Sequence, residues 1–217
     1  AILFLYKRVL SLKLDWLEDV VRAKRPRRLP VVLTKAEVMT ILETMSGINA
    51  LIASLLYGTG MRLMEGLRLR VQDVDFGLNE IIVRSGKGDK DRVTTLPEVL
   101  IPQLERQLEH VKHLHKADLD EGFGRVYLPF ALDRKYPNVG IQLGWQYLFP
   151  SGNRSTDPRT GKVARHHLHE KSVGCSIRNV SRKVGVYKRV SSHTLRHCFA
   201  THLLENGYDI RPVRTQL

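Results

Sequence analysis

Cysteine, long apolar runs and metal-ligand spacings are what this chain of 217 residues lacks. Its two cysteines, Cys175 and Cys198, form no CxxC pair, which excludes a disulfide framework. They read as small, buried or half-buried thiols in a reducing compartment, so a cytoplasmic protein is expected. The longest apolar stretch, Leu51 to Tyr57, is seven residues, far short of the ~20 needed to cross a bilayer. The chain starts without Met inside an amphipathic pattern and shows no signal-peptide features, so it reads as a fragment at its first residue. No internal repeat is visible.

Acidic residues are scarce in two stretches, and those stretches hold the charge. The net charge is +13. Arg22 to Arg28 contributes +5 with no acid, and Ser151 to Arg196 contributes +9; the rest of the chain sums to −1. Two basic segments on a neutral body suggest a polyanionic partner, and Arg suits bidentate phosphate contacts. A solvated, lysine-rich surface is the blander reading, but the arginine content favours nucleic acid.

Residues 1–21 carry apolar positions on a helical stripe. Arg22-Ala-Lys-Arg-Pro-Arg-Arg-Leu-Pro30 reads as an extended linker, because two prolines and five positive charges suit no core element. Thr34 and Glu37 form a capping-box pattern that predicts a helix to about Met45. Helices are expected over Ile48–Tyr57 and Arg62–Leu69. Glu80–Arg84 and Arg92–Leu96 flank the Gly-rich Ser85–Asp91 and predict a β-hairpin. Pro97–Leu119 is expected to be helical. Residues 122–168 show weak periodicity and read as a functional segment or insertion. Helices are predicted again at Lys171–Val184, at His193–Asn206 and after Asp209. The expected fold class is α+β, mainly α-helical, with one small sheet or hairpin.

Three fragments bear on chemistry: Thr59-Gly-Met-Arg-Leu-Met-Glu65, Gly86-Lys-Gly88 and His193-Thr-Leu-Arg-His197. Singly each has a plain explanation. Arg62 and Glu65 could be a surface pair on a helix, worth tenths of a kcal/mol. Gly86-Lys-Gly88 could be an ordinary turn. His193 and Arg196, three apart, share one helical face. His193 and His197 have zinc-pair spacing, but a zincin needs Glu where Thr194 stands. His166, His167 and His169 lack partners at ligand spacing. Neither set predicts a metal.

In this order and spacing the three fragments resemble the tyrosine recombinase (phage integrase) family, across essentially the whole chain. The resemblance implies that Arg62, Lys87, His193 and Arg196 are catalytic. It implies donors from Arg62, Arg196 and His193 to the non-bridging oxygens of a phosphodiester, and a proton from Lys87 to the departing 5′ oxygen. A tyrosine would attack to give a 3′-phosphotyrosyl link, with no metal, ATP or other cofactor required. None of the seven tyrosines stands in the family's nucleophile context. The chain is therefore expected to be a fragment truncated at both ends and inactive for strand cleavage alone.

A narrower resemblance, to integron integrases, rests on Leu132-Asp-Arg-Lys-Tyr-Pro137, Trp145-Gln-Tyr-Leu-Phe-Pro150, Ser155-Thr-Asp-Pro-Arg159 and Arg165-His-His167. It implies recombination of gene cassettes at duplex and folded single-stranded DNA sites by a homotetramer, in a bacterial cytoplasm and on the nucleoid when DNA-bound. Residues 1–28 would end a core-binding domain and linker, and 29–217 would be the catalytic domain, with an insertion at about 122–168. Arg25, Arg27, Arg28, Lys90, Arg92, Trp145, Pro158, Arg165, His166 and His167 are the expected DNA contacts. Pro158 and His167 would flank one protruding base, with Trp145 and His166 near another. A DNA-binding regulator without chemistry, or a phage- or Xer-type recombinase, is the competing expectation.

Overall fold

The computed structural model describes residues 5–11, 30–84, 91–128, 132–136, 138–157 and 161–207. Of the stretch expected to be helical at the start, Leu5–Val9 forms one π-type turn, and Ser11 follows with φ 51°. A left-handed residue without glycine's freedom interrupts a helix, so the predicted stripe is broken there.

The first helix, α1 (Lys35–Thr44), starts as the capping box predicts. Thr34 Oγ1 accepts the Glu37 N–H at 3.2 Å, and Glu37 Oε2 accepts the Thr34 N–H at 2.7 Å. Next comes α2 (Gly47–Thr59), which buries Leu51, Ile52, Ala53, Leu55 and Leu56. A helix apolar on so many sides must lie inside. It packs against α1, the short α3 (Leu63–Leu67), α6 (Glu170–Lys183) and α7 (Ser192–Glu205). Each of those buried leucines or isoleucines stabilises the fold by about 1.5–3 kcal/mol.

Beside this helical layer runs an antiparallel sheet of β1 (Val74–Asp75), β2 (Glu80–Val83) and β3 (Arg92–Thr95), in that order. The expected hairpin is β2–β3, with Ile81 opposite Thr94 and Val83 opposite Arg92. Ile81 and Val83 face the core, as alternation requires. The two-residue β1 is too short to show a period, and sequence reading missed it.

A long helix, α4 (Ile101–Asp120), leads into the segment that lacked periodicity. There the chain makes a four-residue helix, α5 (Leu132–Lys135), and two 3-10 turns. A second hairpin follows, β4 (Pro150–Thr156) against β5 (Val163–His167). The register shifts between Pro150 and Arg154, so no regular alternation marks β4 in sequence. Of the two thiols, Cys198 is buried as expected, whereas Cys175 is exposed on α6. Among the described residues no helix is long and apolar enough to cross a membrane.

Candidate active site

The turn between α2 and α3 builds the first half of the site. Thr59 closes α2: its hydroxyl donates to Leu55 O at 2.6 Å and accepts the Met61 N–H at 3.3 Å. Gly60 then adopts φ 64°, where a Cβ would stand 2.4 Å from Phe199 Cδ1. Both the conformation and the close approach demand glycine. The Gly60 carbonyl accepts a hydrogen bond from Arg196 Nη1, although 136 positions separate the two residues. Arg62 follows in extended conformation as the N-cap of α3.

Glu65 gathers the arginines. Its Oε2 accepts the Arg62 backbone N–H and its Oε1 the Arg62 Nη1, each at 2.8 Å. From β3, Arg92 donates Nη1 and Nη2 to the same two oxygens at 3.2 and 2.6 Å. Burial alone would raise this carboxyl, but the bonds from Arg92 and Arg62 outweigh it and pull the pKa down to about 2. Arg196 is shifted below the usual arginine value, first by burial and then by the Arg62 charge, with Glu65 opposing and Arg92 adding. Three guanidinium groups thus share one neighbourhood with a single carboxylate. An anion entering there relieves their repulsion.

The second half of the site is α7. A capping box at Ser191 and Thr194 starts the helix, with Thr194 Oγ1 accepting the Ser191 N–H at 3.1 Å. His193 lies in its first turn, exposed, three residues before Arg196. Its ring centroid is 6.3 Å from that of His197. Farther along, His202 is buried between Tyr57 and the chain entering α1. Leu33 O can only accept, so Nε2 carries the His202 proton and Nδ1 accepts the Tyr57 hydroxyl. That bond, with Leu33 N–H on Cys198 Sγ at 3.2 Å, fixes α7 against the rest of the domain.

A second cluster surrounds Arg70, whose guanidinium is buried with no carboxylate hydrogen-bonded to it among the described residues. It donates to the carbonyls of Trp145 and Tyr127 and lies 4.5 Å from the Tyr147 ring centre and 5.7 Å from that of Trp145. On Tyr147 rest both expected histidines, each with its centroid at 5.4 Å, and their own centroids are 4.0 Å apart. His167 is buried and donates Nδ1–H to Leu168 O at 2.8 Å, while His166 is exposed. Partial desolvation of the packed rings, less complete at His166, lowers the pKa of both, offset in part by backbone hydrogen bonds, and Arg68 adds to the lowering. The neutral imidazoles are favoured.

Arg165, an expected DNA contact, is engaged within the chain. Nε and Nη2 bind Asp118 at 2.6 and 2.7 Å, and Nη1 donates to Ser151 O and Gly152 O. Its side chain is 11% exposed, and it clamps β5 to the end of α4. Arg92, also expected on DNA, is bound first to Glu65. The remaining candidates Lys87, Lys90, Arg25, Arg27, Arg28 and Pro158 lie outside the described residues. Among the described residues no group of three or more His, Cys, Asp or Glu could hold a metal ion.

The model of the phage integrase family matches residues 31–217. The chain belongs to that family. It is similar, at 48% identity over 217 residues, to an integrase/recombinase of Escherichia coli, covering all of this chain and 64% of the relative. It is 32% identical over 201 residues to tyrosine recombinase XerA of Pyrococcus horikoshii, covering 92% of this chain and 56% of that one. A crystal structure of XerA recombinase aligns with 96% of this phage integrase family chain and 61% of its own, at 30% identity and a TM-score of 0.56. The chain therefore spans less than two thirds of the length of these relatives.

Two participants escaped sequence reading. Glu65 stood in the TGMRLME string, three residues after Arg62, but as half of a surface pair. Arg70 carried no local signal at all.

Proposed function

We propose that this chain supplies the phosphate-binding centre of an enzyme that cleaves and rejoins DNA strands at specific sites. The observation that carries the reading is the convergence of Arg62, Arg92 and Arg196 on Glu65 and Gly60. Docking alone needs no such convergence. In this reading Arg62 and Arg196 hold the non-bridging oxygens of the scissile phosphate, and His193 adds a donor from the open face of α7. The negative charge that grows in a pentacoordinate transition state is met by cations already in place. Lys87 protonates the departing 5′ oxygen. A tyrosine attacks phosphorus to leave a 3′-phosphotyrosyl link.

Residues 29–217 are then the catalytic domain, preceded by the end of a core-binding domain whose basic linker, with Arg25, Arg27 and Arg28, runs along DNA. Two fold neighbours support a DNA partner: XerH site-specific recombinase bound to difH substrate, and a Tn1549 transposon integrase with circular intermediate DNA. The finer reading is an integron-type integrase, acting as a homotetramer on duplex and folded single-stranded cassette sites. Its support is the motif set in residues 122–168 and the exposed His166 ring beside Tyr147. Trp145 and His166 would meet one protruding base; Pro158 and the edge of His167 would meet another.

The test is strand cleavage by the full-length protein on a nicked DNA substrate. Arg62→Ala or Arg196→Ala should lower the cleavage rate about 100- to 1000-fold, with much smaller losses in duplex affinity. Unchanged cleavage by either variant refutes the assignment.

A further inference from the structure

The end of α6 and the loop that follows form a groove of about 380 Å3 that the reading above does not use. One wall is α6, with Arg178 and Arg182. The other is the loop, with Tyr187, Lys188 and Arg189. The loop is held firmly. Gly185, at φ 76°, turns the chain, and the Val186 N–H donates to Ser181 O at 2.9 Å. Val186 and Val190 are both buried, so the three residues between them are pushed outward. Tyr187 consequently stands 99% exposed on a pinned loop.

The charges around it are unequal in their commitments. Lys188 is paired with Glu37 at 2.8 Å. Among the described residues Arg178 meets only the Cys175 sulfur, at 3.1 Å. Arg182 and Arg189 have no hydrogen-bond or ion-pair partner from their guanidinium groups among the described residues. Three guanidiniums without a carboxylate, one flat ring and a space at the small end of ordinary ligand sites fit a phosphate joined to an aromatic base. The groove is too small for a duplex. Its loop runs directly into α7, where Thr194 Oγ1 donates to Arg189 O at 3.4 Å, next to His193.

We propose that this groove is a single-nucleotide site: Arg182 and Arg189 hold the phosphate of an unpaired nucleotide, and its base stacks on Tyr187. The inference rests on the DNA-binding reading above and adds a second place, apart from the Tyr147 histidines, where an unpaired base is held. Guanidiniums supply sequence-independent attraction to any strand, whereas the phenol ring distinguishes a free base from a stacked one.

The experiment uses the 217-residue chain and two labelled DNAs, a continuous duplex and the same duplex carrying one bulged 5-iododeoxyuridine. Tyr187→Ala should weaken binding to the bulged DNA about 5- to 100-fold, the range expected for one base stack, and change the continuous duplex less than about 2-fold. Tyr187→Phe should keep the affinity, because the ring does the stacking. Arg182→Gln with Arg189→Gln should weaken both DNAs and reduce the salt slope by about 0.9, for the one phosphate the pair holds. Irradiation should link the iodinated base to Tyr187. Equal loss on both DNAs for Tyr187→Ala, or a crosslink confined to His166 or Trp145, overturns the proposal. A change of oligomeric state in that variant also overturns it, and gives the groove to a second copy of the chain. If the unaltered chain fails to bind the continuous duplex, the DNA-binding reading falls first and this inference with it. Tyr187 is 99% exposed, so loss of folding does not obscure the result.

Discussion

Replacing Glu65 with Gln keeps the shape of the side chain and removes the charge that holds two guanidiniums. In the folded chain the Glu65 carboxyl has a pKa of about 2, against an ordinary value of 4.5. A shift of that size corresponds to about 3 kcal/mol of folding free energy at neutral pH. The carboxylate is 8% exposed, but its partners Arg62 and Arg92 are 34% and 31% exposed. Solvent screening on the arginine side brings the expectation to about 2–3 kcal/mol. The amide adds a second penalty, because its NH2 group must face a guanidinium, donor against donor. Urea unfolding of Glu65→Gln at pH 7 should therefore show a loss of about 2–3 kcal/mol, or roughly 4–12 °C in Tm. The pH dependence identifies the cause. A depressed carboxyl stabilises the fold above its unfolded pKa, and the benefit is lost as pH falls through the folded value. The gap between the native chain and Glu65→Gln should thus be full above about pH 4.5 and close towards pH 2. A variant within about 0.5 kcal/mol of the native chain at pH 7, or a gap that ignores pH, would refute the role given to Glu65.

Four shorter expectations follow. Asp118→Asn should destabilise by about 3 kcal/mol in urea unfolding, because Arg165 would keep a buried charge without its partner. Gly60→Ala should cost more than about 1 kcal/mol and shift the Arg196 contact, since both φ and the Phe199 ring oppose a Cβ; circular dichroism melts give the loss. His166 and His167 are depressed by burial, so the folded state binds fewer protons than the unfolded one. Their contribution to stability is whole above about pH 6.5 and declines as pH falls below it, a trend that His166→Gln with His167→Gln should flatten in melts between pH 7 and 5. His166→Ala should weaken binding to a bulged hairpin DNA about 5-fold or more while sparing a plain duplex, and equal losses in a titration of both would remove its base-reading role.

The fold was legible in sequence wherever one element declared itself by period or cap. Thr34 with Glu37, the apolar run of α2, the strands around Ser85–Asp91 and the helix of His193 and Arg196 all lie where expected, within a few residues. The hairpin β4–β5 was not legible, because its register shift breaks alternation and both strands are rich in polar residues. In the site, Arg62 and Arg196 were found through their motifs. Glu65 was read as the partner of Arg62 alone, since spacing along a helix reveals a neighbour three residues away. It cannot reveal that β3 brings Arg92 to the same carboxylate from 27 positions off.

The same limit shows in the basic segment from Ser151 to Arg196. Its charge of +9 was counted as one polyanion-binding surface, yet the fold divides it by partner. Arg154 and Arg165 turn inward to Asp118 and Glu121, which belong to α4 and its C-cap and lie outside the segment. Their charges are neutralised, and their work is to hold a hairpin. Arg196 turns to Gly60 O beside Arg62. Arg182 and Arg189 turn out to solvent around Tyr187. Composition reports the sign of a charge, but the carboxylates that meet it come from elsewhere in the chain. An arginine's role is therefore decided by tertiary neighbours, and among the described residues Arg182 and Arg189, on α6 and the loop before α7, stand without a carboxylate.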